Sequence, residues 1–114
     1  MRLIYHIVSG ADWESAGQDV LRPASLESEG FIHCSYGDQV ARVANQFYAD
    51  QSELVVLAID ADALGPLVRD EAAEAGEKFP HVFGPIPRSA ILGVRRLRRD
   101  PSRRWMFEEN AAEL

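Results

Sequence analysis

The chain has one cysteine, Cys34, in 114 residues. A domain of this size in an oxidising compartment is commonly stapled by paired cysteines, so a lone thiol excludes a disulfide scaffold and points to a reducing, cytoplasmic setting. Histidine is almost as scarce, with His6, His33 and His81 the only three. None forms an HxH or HxxxH pair and there is no CxxC, so no local zinc motif is present, and no metal is expected. Phosphate loops of the GxxxxGK[ST] or GxGxxG type are also missing. The longest apolar run, near Leu54–Ile59, is far too short to cross a bilayer. The apolar stretch after Arg2 is short, interrupted by His6 and closed by acids, so no signal peptide is expected and no membrane partner follows. There is no internal repeat and no low-complexity linker.

What remains is the balance of an ordinary globular chain, 46% apolar and 26% charged. At this length it forms one domain, residues 1–114, that buries about two-thirds of its unfolded surface. The net charge of −6 is uneven, because residues 95–114 carry six arginines against four acids. An acidic body argues against broad nucleic-acid binding, which depends on neutralising phosphates. The run "RRLRRDPSRR" leaves a local anion site open, beside the plainer reading of a solvated edge strand whose charges discourage edge-to-edge pairing.

Periodicity divides the chain into mixed strands and helices without a regular βαβ rhythm, which favours α+β. "RLIYHIVS" alternates as a first strand, with Ile4, His6 and Val8 on one face. A short helix starts near Asp12 and stops at Gly17, and "SLESEG" makes a turn or short helix closed by Gly30. "FIHCS" is a short strand. From Asp38 as N-cap, Val40, Val43, Ala44, Phe47 and Tyr48 recur with helical spacing. "ELVVLAID" reads as a central strand covered on both faces. Val68–Ala72 is either a strand or the start of a helix. Prolines 80, 85 and 87 keep "FPHVFGPIP" extended and loop-like, with at most a short strand at its middle, which sets His81 at a rim. A long strand over "SAILGVRRLRR" and a turn or short helix over "RRWMFEENAAEL" close the chain.

All three histidines stand among apolar neighbours, as pocket or core residues do. Strand alternation turns His33 and Cys34 to opposite faces, so they cannot pair, and Cys34 reads as a small buried residue. Phe31, His33 and Ser35 share a face. Ser35 and Tyr36 lie where a strand gives way to a helix, and backbone N–H groups beside a hydroxyl can hold phosphate or ribose oxygens there. In "HVFGPI", Phe83 offers a stacking face, Gly84 a close approach to the backbone, and Pro85 rigidity. Together these describe a concave, partly apolar small-molecule site.

The blocks "IYHIVSGADWESA", "SLESEGFIHCSYGDQVARVANQFYA", "LVVLAIDADALGPLVRDE" and "GEKFPHVFGPI" resemble, in this order, a family of short bacterial proteins classed only as a domain of unknown function. That family is similar in fold to ADP-ribosyltransferases, in which two small mixed or antiparallel sheets enclose a cleft, and is nearest the tRNA 2′-phosphotransferase branch. The resemblance implies NAD as the small-molecule substrate. It puts His6 against the ribose on the nicotinamide side, Ser35 with His33 on the second motif, and the nicotinamide ring against Phe83 or Tyr36, with His81 and Gly84 completing the binding set. The catalytic glutamate of toxin-like members has no counterpart in "HVFGPI", where Glu71 is the nearest acid by strand order. The expected function is therefore binding of NAD or another ADP-ribose-containing nucleotide, with ADP-ribose transfer to an acceptor as its enzymatic form and an RNA end as the one nucleic-acid partner left open. The alternative is an interaction module that keeps the fold without the reaction.

Overall fold

The computed structural model describes residues 2–16, 20–73 and 75–109. In chain order the elements are β1 (Leu3–Ser9), α1 (Gly10–Glu14), β2 (Val20–Leu21), α2 (Ala24–Glu29), β3 (Ile32–His33), α3 (Val40–Phe47), β4 (Leu54–Asp60), α4 (Ala61–Leu64), β5 (Val68–Ala72), β6 (Lys78–Val82), β7 (Ile86–Pro87), β8 (Ile91–Arg96), β9 (Arg98–Arg99) and β10 (Trp105–Met106). Short 3-10 turns precede α3, β5 and β8. Every strand pairing is antiparallel, which makes the chain an α+β domain with antiparallel sheets. No helix of the described residues is long and apolar enough to cross a membrane.

The β-branched run of β4 is the middle strand of the first sheet, β1-β4-β8, and six of its seven residues are buried. Alternation sends Val55, Leu57 and Ile59 to one face, where they pack with Ile4, Ile32, Val82 and Ile86. Leu54, Val56 and Ala58 go to the other, against Tyr5, Val40, Ala44 and Trp105. The first face is covered by the second sheet, β3-β6-β5, and the other by α3 and β10. Each fully buried aliphatic side chain of this kind contributes about 1.5–3 kcal/mol, so the two-faced β4 anchors both halves of the core.

A backbone seam ties the two sheets together at Cys34 and Ser35. Cys34 N–H donates to the Pro80 carbonyl at 3.1 Å, within the second sheet. One residue later Ser35 exchanges both backbone hydrogen bonds with Tyr5, at 2.7 and 2.8 Å, at the outer edge of β1. The stretch from Phe31 to Ser35 thus leaves one sheet and enters the other, and the sheets diverge beside it.

Several local expectations are corrected. α1 begins at Gly10 rather than near Asp12, because the Ser9 hydroxyl accepts from the Asp12 N–H at 3.2 Å and caps the helix two residues early. Gly10 allows that start, since a Cβ there would come within 2.8 Å of the Glu53 carboxylate. The proposed stop at Gly17 lies outside the described residues. Asp38 is not the cap of α3. Gln39 is, with its side-chain oxygen accepting from Tyr36 N–H at 2.9 Å while its amide donates to the Lys78 carbonyl at 2.9 Å and to Glu77 at 3.0 Å. Val68–Ala72 resolves as a strand. "KFPHV", expected to hold at most a short strand, is a five-residue strand at the centre of the second sheet. Proline fits there because its carbonyl faces the end of β3, so the N–H it lacks points where β3 is already leaving. The last long strand breaks at Leu97, and Trp105–Met106 pairs with Arg98–Arg99 instead of forming a turn or helix; the residues after Glu109 lie outside the described ones.

Candidate functional site

A cleft of about 510 Å³ opens where the sheets diverge. Its walls are Ile7 of β1, the His33–Ser35 crossover, Phe79 and His81 of β6, Ala73, and Val43, Phe47 and Tyr48 along and beyond α3. The apolar stripe of α3 is wider than the core requires. Val40 and Ala44 are buried, whereas Phe47 remains 68% exposed at the rim of the cleft.

The polar wall comes from register. His33 stands directly opposite His81, which stands opposite Arg69, in one row across the second sheet. Their shared face looks away from the core, because the neighbours Ile32, Val82 and Val68 take the inward positions. On this face the Phe31 ring stacks on His81 at 4.2 Å and 14°, while His33 meets His81 edge-on at 5.5 Å. Phe83 tilts against Phe31 at 5.4 Å, and the Arg69 guanidinium lies over Phe83 at 4.8 Å. Each imidazole contacts a carboxylate. His81 Nδ1 meets Glu71 at 2.8 Å, and His33 Nε2 meets Glu29 at 3.1 Å.

His33, Ser35 and His81 therefore gather in one cleft, and Phe83 extends it through Phe31. The other three residues of the expected set go elsewhere. His6 pairs with Leu57 in register and lies between the sheets, 7% exposed, with Nδ1 donating to the His33 carbonyl at 2.7 Å. It holds the crossover from behind and does not line the cleft. Burial lowers its pKa below the ordinary 6.5, opposed by that hydrogen bond. Tyr36 packs against the inner core on the opposite face of the second sheet. Its hydroxyl accepts from Arg2 at 2.6 Å and donates to Asp70 at 2.5 Å. Gly84 is buried against Leu67, whose side chain fills the space a Cβ would take at 3.2 Å, so the close approach there is made by protein. His81, expected at a rim, sits on the central strand with a side chain only 16% exposed.

Cys34 is buried and unpaired, and burial drives its thiol well above the usual range, which leaves no thiolate for nucleophilic chemistry. The histidine nitrogens with partners contact His33's carbonyl, Glu29 and Glu71 rather than the Ser35 hydroxyl. Among the described residues no cluster of three or more His, Cys, Asp and Glu is arranged to hold a metal ion. Much of the arginine cluster is structural. Arg99 donates to the Ala49, Gln51 and Arg103 carbonyls and covers Trp105 at 3.8 Å, Arg95 covers Phe107, and Arg96 pairs with Glu53.

Sequence reasoning named neither Glu71 nor Glu29 as an imidazole partner. Both were within reach of local rules. Reading 68–72 and 78–82 as a hairpin puts Glu71 diagonal to His81, and Glu29 precedes His33 by four residues across the αL turn at Gly30.

Residues 7–94 match the profile of a family described as protein of unknown function (DUF952). Among solved structures, the crystal structure of protein CC0527 from Caulobacter crescentus is similar, at 34% identity over 92% of this chain and 94% of that one, with a TM-score of 0.83. The solution structure of the same protein gives 35% identity over 90% of each chain and a TM-score of 0.76. No curated protein matches.

Proposed function

Because the chain belongs to the DUF952 family of proteins of unknown function, its activity has to be argued from the cleft, and we propose that the cleft binds NAD or another nucleotide containing ADP-ribose and supports transfer of the ADP-ribose group. The observation that carries this reading is the Phe31–His81 stack with His33 at its edge, beside an apolar cleft of about 510 Å³. A planar base finds a π-face at Phe31, Phe83 and His81. Phosphate oxygens find a donor at Arg69, a ribose hydroxyl can donate to the His33 ring nitrogen that does not face Glu29, and a second ring finds an apolar wall at Phe79, Tyr48 and Phe47. Two small antiparallel sheets beside the site are what the ADP-ribosyltransferase reading calls for, with His33 and Ser35 as its second motif; His6, which that reading sets against the ribose, instead holds the His33 carbonyl from behind.

Calorimetric titration of NAD, ADP-ribose and an RNA end bearing a 2′-phosphate tests the reading. NAD and ADP-ribose should bind, and Phe31→Ala should weaken them about tenfold or more, since stacking on an aromatic side chain is worth about 1–3 kcal/mol per base. Binding of the RNA end alone would move the substrate to RNA. A lack of binding by all three would favour the interaction module, for which Phe47, 68% exposed at the rim, supplies an apolar contact.

A further inference from the structure

We infer that His81, held by Glu71, is the general base of the cleft and takes the place of the glutamate that "HVFGPI" lacks; this rests on the nucleotide-binding reading above. An ionised carboxylate only accepts hydrogen bonds, so the 2.8 Å contact fixes the proton of a neutral His81 on Nδ1 and leaves the lone pair on Nε2. The Phe31 ring, nearly parallel at 4.2 Å, restricts rotation of the imidazole, and the side chain lines the cleft at 16% exposure. His33 is the rival for this role. Its carboxylate contact is longer, 3.1 Å, and its side chain is 53% exposed, so it is held less firmly and is more hydrated. Cys34 is kept protonated by burial, and no histidine nitrogen activates the Ser35 hydroxyl.

The step balances without a redox partner. The C1′–N bond of NAD breaks with its electron pair going to the pyridinium nitrogen, so nicotinamide leaves neutral. The oxygen of a water or of an acceptor hydroxyl forms the new bond to C1′, and its proton passes to His81 Nε2 and then to solvent. Glu71 stays ionised and stabilises the imidazolium that forms. It is a positioning residue, and His81 is the catalytic one.

The experiment follows nicotinamide release from NAD by the full-length protein, its His81→Ala and Glu71→Gln variants, and calorimetric NAD binding by each. His81→Ala should lower kcat by about 10²–10⁴-fold, the usual range for a general base, with NAD affinity changed only by the loss of one stacking partner. Added imidazole should restore part of its turnover. Glu71→Gln should lower kcat less and displace the acid limb of the pH–rate profile. In parallel, ¹⁵N NMR of the ligand-free parent should show His81 protonated on Nδ1, and Glu71→Gln should erode that preference; an Nε2–H tautomer in the parent overturns the proposal. Turnover unchanged in His81→Ala overturns it as well. A parent that binds NAD and releases no nicotinamide overturns the base role and leaves the binding reading standing, whereas no binding and no turnover overturns both.

Discussion

At His6 the ring proton must sit on Nδ1, since the His33 carbonyl it meets at 2.7 Å can only accept. A second proton would charge a ring that is 7% exposed between two apolar sheets, and burial accordingly lowers its pKa. The unfolded chain binds that proton near the ordinary value of 6.5. Between there and the lower folded value the unfolded state carries more protons, so stability falls as pH is lowered through this window and levels off beneath it. Urea unfolding at pH 7.5 and at stepwise lower pH should show this slope, and His6→Gln should flatten it; an unchanged slope would assign the effect to other groups. Truncation to alanine leaves the His33 carbonyl without its donor and opens a cavity, each costing on the order of 1–3 kcal/mol. His6→Ala is thus expected to destabilise the fold and, by releasing the crossover, to weaken the cleft. One residue serves packing and site geometry together, which is why period-two alternation could place His6 inward without revealing that it stops short of the pocket.

Among the elements, α3 shows how far a periodic pattern reaches. The spacing of Val40, Val43, Ala44, Phe47 and Tyr48 located the helix, and its core contacts at Val40 and Ala44 follow from that spacing. It could not say that the outer part of the stripe overhangs a cleft, with Val43 packed partly against the core and partly on the cleft wall and Phe47 left exposed at its rim. The two valines should separate accordingly. Val40→Ala, fully buried, should lower stability by about 2 kcal/mol through lost transfer energy and a residual cavity, with ligand affinity unchanged. Val43→Ala should cost less stability and alter nucleotide affinity. Thermal melting beside calorimetry distinguishes them, and equal stability losses with no ligand effect would remove α3 from the site. β6 failed to show its full extent for a different reason. Three prolines within eight residues read as loop with at most a short strand, and only the partner strands reveal that Pro80 turns its missing donor toward the end of β3. The carboxylates of the site were hidden by the same gap. Glu71 becomes a partner of His81 only once β5 and β6 form a hairpin, and the sequence left Val68–Ala72 undecided between strand and helix.

For the whole molecule, the α+β class, the central place of β4 and the shared face of His33 and Ser35 were readable from alternation, which reports which positions face the same way; the expected company of His6 and the rim position of His81 were not what the cleft shows. Nor was the arrangement of the sheets readable, since it depends on one segment that no periodicity marks. That segment, Phe31 to Ser35, bonds to Pro80 on one side and to Tyr5 on the other. A cleft hinged on a flexible loop can widen while the rest of the protein stays folded. Here, widening it at this seam breaks the reciprocal bonds of Tyr5 and Ser35, and Tyr5 is wholly buried in the core. The amides of Tyr5 and Ser35 should therefore exchange with deuterium only through global unfolding, at rates matching those of β4, while the rim amides around Phe47 exchange by local opening. Faster exchange at Ser35 than in β4 would reveal a hinge. With the seam closed, a ligand enters by rearrangement of side chains at the mouth, and the pocket's shape is inherited from the cooperativity of the fold itself.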